Sequence, residues 1–196
     1  MAEEGGQLNH ISPEDYLHLY DLESYLFGTV HQRFRNHGCL EAFDFFCIII
    51  WKSNRAKSKI AHRLLSKGFP TLDDVVDNLT KCIASEKSPK DKLRLLMNSE
   101  WGFLLPMSSA ILTVLYPDDF TIYDVRVCGA LGKFSELANM TAFDKLWDRY
   151  LDFKSCVESN GPHKYSLRDK DRYLWAKSFK EQLCGDIKNN FGAMIE

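Results

Sequence analysis

A carboxylate, a run of cations and a set of aromatic rings are the side chains in this chain whose types and spacing suit chemistry. Asp124 follows the β-prone Thr121-Ile122-Tyr123 and precedes Val125-Arg126-Val127, where a helix can begin. An Asp at such a boundary accepts hydrogen bonds from the free N–H groups of the first helical turn. Capping accounts for it by itself, yet a carboxylate pinned there is also well placed for acid–base or electrostatic work. Between Phe45 and Leu72 no acidic residue occurs, while Lys52, Arg55, Lys57, Lys59, Arg63 and Lys67 all fall inside. Lys52, Arg55, Lys59 and Arg63 recur at helical intervals, which predicts one shared helix face with Lys57 to its side. Such a stripe follows a phosphate backbone, although a solvated helix face is the plainer reading. Trp51, Trp101, Tyr123 and Trp175 are candidates for the walls of a pocket that stacks an extruded base; core packing is the commoner fate of such rings. Arg168 and Arg172, in a densely charged segment, suit ion pairs that dock the last helix, with phosphate contact as the alternative. Cys128 reads as a small buried apolar residue.

The elements that must position these groups are helical throughout. Ser12-Pro13-Glu14-Asp15 is a helix start with a capping Ser, Pro in the first turn and acids near the dipole's positive end. Its helix is expected to run to Gly38. A second begins near Glu41, continues to Gly68 and bends near Ser53-Asn54. Thr71 and Ser88 cap the next two. Trp101 to Pro117 reads as a tight hairpin and then a short apolar helix stopped by Pro117; no charge occurs between Trp101 and Asp118, so this helix must lie in the middle of the molecule. Further helices follow Asp124 to Leu131, open at Thr141-Ala142-Phe143-Asp144, and begin near Leu167 after the break at Gly161-Pro162. Nothing alternates with period two, so the expectation is an all-α domain of about eight helices over residues 12–196, preceded by a loosely ordered acidic arm over 1–11.

Bulk properties narrow the class. The chain has 196 residues and a formal net charge of −2, so nucleic-acid binding is not announced by overall charge. No run reaches the roughly 20 apolar residues of a bilayer crossing, so no membrane partner is expected. The six cysteines are scattered singly, a pattern that suits reduced thiols in a cytoplasmic or nuclear protein and no zinc site. No metal or cofactor is expected.

Leu105-Pro106-Met107-Ser108-Ser109-Ala110-Ile111-Leu112, with Phe120-Thr121-Ile122-Tyr123-Asp124-Val125-Arg126-Val127, resembles the helix-hairpin-helix DNA glycosylase superfamily, which includes endonuclease III and the 8-oxoguanine and alkyladenine glycosylases. That family has a hairpin Leu-Pro-Gly-Val-Gly-x-x-Thr-Ala, an apolar helix, a short loop and Val-Asp-Thr-x-Val-x-Arg. Ser109-Ala110 matches the Thr-Ala, and Tyr123 to Val127 matches the segment around the catalytic Asp, so the resemblance covers roughly residues 93–131. Two positions depart from it: the hairpin glycines are missing apart from Gly102, and Ser108 stands where bifunctional members carry the lysine nucleophile. The resemblance implies a single two-lobed all-α domain. It also implies a monofunctional DNA-repair N-glycosylase, a hydrolase without lyase activity, that releases a damaged or extruded base from double-stranded DNA. Asp124 would stabilise the positive charge on the sugar and orient water. Gly102, Ser108, Ser109 and Arg126 would join the basic residues as nucleic-acid contacts. The alternative is a non-catalytic nucleic-acid- or protein-binding module that keeps this fold; the missing glycines favour it, and the retained Asp-x-Arg segment favours the enzyme.

Overall fold

The computed structural model describes residues 12–189 and Phe191; the expected acidic arm over 1–11 lies outside the described residues. The chain folds as α1 (Pro13–Tyr20), α2 (Leu22–Tyr25), α3 (His31–His37), α4 (Ala42–Ser53), α5 (Lys57–Leu65), α6 (Leu72–Ser85), α7 (Pro89–Met97), α8 (Leu105–Leu115), α9 (Val125–Leu131), α10 (Phe143–Asn160) and α11 (Leu167–Lys188). No strand occurs among the described residues.

Local chemistry explains most boundaries. Ser12 and Thr71 form capping boxes with Asp15 and Asp74, and Ser88 caps α7 through the Asp91 N–H. The first expected helix is in fact three. Asp21, at ψ 70°, ends α1 and its carboxylate caps α2, and a widened turn over Leu26–Val30 joins α2 to α3. Gly38 then stops α3 in the left-handed region at φ 70°.

Nine of the eleven residues of α8 are buried, so the uncharged helix runs through the core. Tyr25, Phe45, Ile48, Leu64, Val76, Leu79, Leu93, Trp101, Phe103, Phe120, Tyr150 and Phe153 belong to one continuous apolar cluster with it. Two of the three α8 hydroxyls find partners inside the core, and the buried Ser108 hydroxyl has none among the described residues. Thr113 donates to the Ser109 carbonyl at 2.7 Å, and Ser109 Oγ accepts the Tyr123 N–H at 2.9 Å. That second bond ties the central helix to the extended stretch that delivers Asp124. No described helix is long and apolar enough to cross a membrane, and all six cysteines are free thiols.

Candidate functional site

Three buried hydrogen-bonded anchors hold the strand-like segment 120–124 in place. Tyr150 of α10, fully buried, donates to the Thr121 carbonyl at 2.6 Å and accepts the Thr121 N–H at 3.1 Å. Ser109 takes the Tyr123 N–H, and the Tyr123 hydroxyl donates to the Phe134 carbonyl at 2.8 Å. The backbone therefore has no freedom just before Asp124. Tyr150→Phe leaves both Thr121 groups buried and unpaired, a loss of about 1–3 kcal/mol; urea unfolding is expected to show a lower midpoint at unchanged slope.

Asp124 caps α9 by accepting the Arg126 N–H on Oδ1 at 2.9 Å. Its other oxygen, Oδ2, accepts from Lys52 Nζ at 2.6 Å. Lys52 reaches it from the last turn of α4, and both side chains are mostly shielded, at 13% and 22% exposure. Burial pushes the carboxyl upward, but the Lys52 charge and hydrogen bond, with the Arg126 N–H, outweigh it and hold Asp124 below the ordinary carboxylate range. Asp124 is thus a fixed, ionised carboxylate at neutral pH.

The pair lies in the wall of a cleft of about 1110 Å³, just above the roughly 300–1,000 Å³ of small-molecule sites. Trp51, Trp175, Tyr165 and Tyr173 line it together with Arg126, Arg168 and Arg172. Trp51 is held edge-on by Phe27 at 5.7 Å between centroids, and the Arg168 guanidinium lies 5.2 Å from its ring. Arg168 is itself clamped between Asp171 and Glu23. Elsewhere in the wall Trp175 stacks on Phe179, with ring centroids 5.6 Å apart and planes at 11°, and Arg126 sits 5.3 Å from each ring. The charges balance: Lys52, Arg126, Arg168 and Arg172 meet Glu23, Asp124, Asp169 and Asp171 in the lining. A neutral cleft with aromatic walls suits a flat, weakly charged ring better than a phosphate.

Several expected site residues lie elsewhere. Trp101 and Tyr123 are 2% and 1% exposed, Trp101 inside the core under the hairpin and Tyr123 bonded to Phe134, so neither ring is open to a base. Ser108 and Ser109 are fully buried in α8 and cannot touch nucleic acid. Gly102, at φ 63°, needs glycine's freedom, but its N–H donates to the Asn98 carbonyl and its own carbonyl accepts from Arg63. The hairpin backbone is therefore closed on itself at the positions expected to meet phosphate.

The single basic face is also broken. Ser53, at φ −164° and ψ 91°, ends α4, and a tight turn over Asn54–Ala56 resets the helical phase before α5. Lys52 consequently points at Asp124, and Arg63 packs 4.5 Å over the Phe103 ring. Of the expected stripe, Arg55, Lys57 and Lys59 alone are exposed, and none makes an ion pair among the described residues. Arg172 pairs with Glu23 and Asp169, the docking role that its charged surroundings suggest. Cys128 is buried, which pushes its thiol up, and among the described residues no group of three His, Cys, Asp or Glu is arranged to hold a metal.

Two residues of the cleft are not evident from the sequence. The cation spacing predicts Lys52 as a phosphate contact, whereas its pairing with Asp124 depends on a fold-level contact 72 positions apart. Asp171 falls in the charged segment of the last helix, yet it is 2% exposed. Its signal is the spacing Leu167, Asp171, Leu174, which puts a carboxylate at an inward-facing position of α11. Comparison with family models, with curated proteins and with solved structures found no match.

Proposed function

We propose that this cleft hydrolyses the N-glycosidic bond of a base extruded from DNA, as a monofunctional glycosylase. The observation that carries the reading is an ionised Asp124, fixed by Lys52 and the Arg126 N–H, in a cleft lined by Trp51 and Trp175. Breaking the bond between sugar and base develops positive charge on the sugar, and a carboxylate that stays charged and immobile stabilises it without reorganising. Trp51 and Trp175 supply π-faces for the base. Lys52 holds the carboxylate, and the exposed Arg55, Lys57 and Lys59 meet flanking phosphates. The test is release of free base from duplexes bearing uracil, 8-oxoguanine, alkylated purines or mispaired adenine. Release from at least one duplex is expected; release from none overturns the reading.

One feature favours the non-catalytic alternative. Both oxygens of Asp124 already have partners, as in a residue kept for structure. That alternative predicts duplex binding with no base release from any substrate.

Salt separates the phosphate contacts from the cleft. Affinity for duplex DNA is expected to fall steeply between about 50 and 200 mM salt. Exchanging Arg55, Lys57 and Lys59 together for Ala is expected to flatten the slope of log K against log salt by about 0.9 for each phosphate no longer neutralised. Fluorescence anisotropy across a salt series measures it, and an unchanged slope removes this surface from the interface.

A further inference from the structure

The cleft holds a second carboxylate with a different environment from the first. Asp171 projects from α11 and lines the cavity, although the residue is 2% exposed. Arg168, one turn earlier on the same helix, donates to Oδ2. Oδ1 has no hydrogen-bond partner among the described residues, and it is not one of the sealed, unpartnered polar atoms. Oδ1 thus keeps some access in a residue that lines the cleft. A carboxylate oxygen with some access, left without a protein donor in an otherwise buried residue, is free to meet a bound molecule.

We infer that Asp171 is a second catalytic residue, donating a proton from Oδ1 to a ring nitrogen of the leaving base. The inference rests on the glycosylase reading of the same cleft. The groups facing Asp171 come from four elements. Arg168 is on its own helix, Lys52 is at the end of α4, Asp124 is at the start of α9 and the Tyr150 hydroxyl is on α10. Glu23 of α2 acts through Arg168. Burial raises Asp171 most, Asp124 adds to it, and Arg168 and Lys52 oppose, leaving the carboxyl pushed up to about 6. Asp124 is held down in the same cleft, so the two carboxyls are driven toward opposite protonation states, the division that acid and base roles require.

The step balances with water alone. The bond from sugar C1′ to the base nitrogen breaks and its electron pair goes to the base. Asp171 Oδ1–H passes its proton to a basic ring nitrogen, so the base leaves neutral. Water adds to C1′ opposite the departing base and gives a proton to the Asp124 carboxylate; exchange with solvent restores Asp171–H and ionised Asp124. This fits a neutral purine, which has basic ring nitrogens and is a poor anion. A purine already methylated at N7 departs as a neutral base without help and needs no acid.

Two single-turnover series test this: wild type across pH 5 to 8, and Asp171→Asn at pH 6, each on a duplex releasing a neutral purine and on one bearing 7-methylguanine. The wild-type rate for the neutral purine is expected to fall tenfold per pH unit well above pH 6, while the rate for 7-methylguanine stays flat. Asp171→Asn keeps an acceptor for Arg168, and is expected to slow the neutral purine by roughly 10²-fold while changing 7-methylguanine less than threefold. Equal losses on both substrates, or wild-type profiles that coincide, overturn the inference, and the wild-type profiles decide it even when the variant does not fold. Release of pyrimidines without purines overturns it and leaves the glycosylase reading standing; release of no base from any duplex removes both.

Discussion

Asp124→Asn is expected to abolish base release, lowering the single-turnover rate on the order of 10³-fold, while leaving the protein folded and bound to duplex DNA. One side chain performs two separable jobs. As an N-cap, Asn serves nearly as well as Asp, so the bond to the Arg126 N–H survives and α9 keeps its start. As a charge, Asn contributes nothing to a developing cation on the sugar, and Lys52 loses its counter-ion. The variant therefore loses what is needed in the transition state and keeps the cap, while the shielded Lys52 left without its counter-ion lowers the melting temperature without unfolding the protein. Asp124→Ala removes both and is expected to show an additional drop in melting temperature of a few degrees from the missing cap. A variant Asp124→Asn with undiminished release would move the chemistry away from this carboxylate.

The same pair sets a pH dependence of opposite sense to that of Asp171. Asp124 has a folded-state pKa lowered by its partners, so the stability it contributes is present in full above its unfolded value near about 3.9 and is lost as pH falls through the lowered folded value. Activity that needs the ionised form is therefore expected to persist down to about pH 4, and acid inactivation above that point would require another group. Thermal melts measured from about pH 2 to 6 and base-release rates from pH 3.5 to 6 check both.

What the chain discloses without coordinates follows the range of each interaction. Asp124 is legible because capping is local: the carboxylate meets an N–H two residues on. The apolar α8 is legible because the absence of charge between Trp101 and Asp118 leaves it no surface to occupy. Lys52 escapes a sequence reading because the spacing that groups it with Arg55, Lys59 and Arg63 runs straight across the bend expected near Ser53-Asn54, and Ser53 leaves the helical region altogether. The spacing of the cations survives in the sequence while their common face does not survive in space. The hairpin fails for another reason. Similarity of residue types around Ser109-Ala110 says nothing about whether backbone N–H groups are free, and here the carbonyls of Asn98 and Leu104 have already taken those of Gly102 and Ser108.

Trp101→Ala is expected to lower the unfolding free energy by about 3–5 kcal/mol, the largest effect on stability among the tryptophans. Trp101 is 2% exposed, and its backbone N–H is held by Asn98 Oδ1 at 2.9 Å. Removing the indole opens a cavity beneath the turn that joins α7 to α8, and that turn is rigid enough to resist collapse. With total stability of about 5–15 kcal/mol for a domain of ordinary size, the melting temperature should fall by roughly 6–20 °C. Trp175 sets the contrast, because its ring is 41% exposed in the cleft wall. Trp175→Ala removes less buried area than Trp101→Ala and opens no closed cavity, so it should lower the melt less while weakening retention of the extruded base by about 1–3 kcal/mol. The two rings, indistinguishable by type, are therefore expected to separate in a paired experiment, one acting mainly on the melt and the other on the affinity for the base. A Trp101→Ala protein that melts normally and loses base binding would place Trp101 in the cleft and overturn the packing described here.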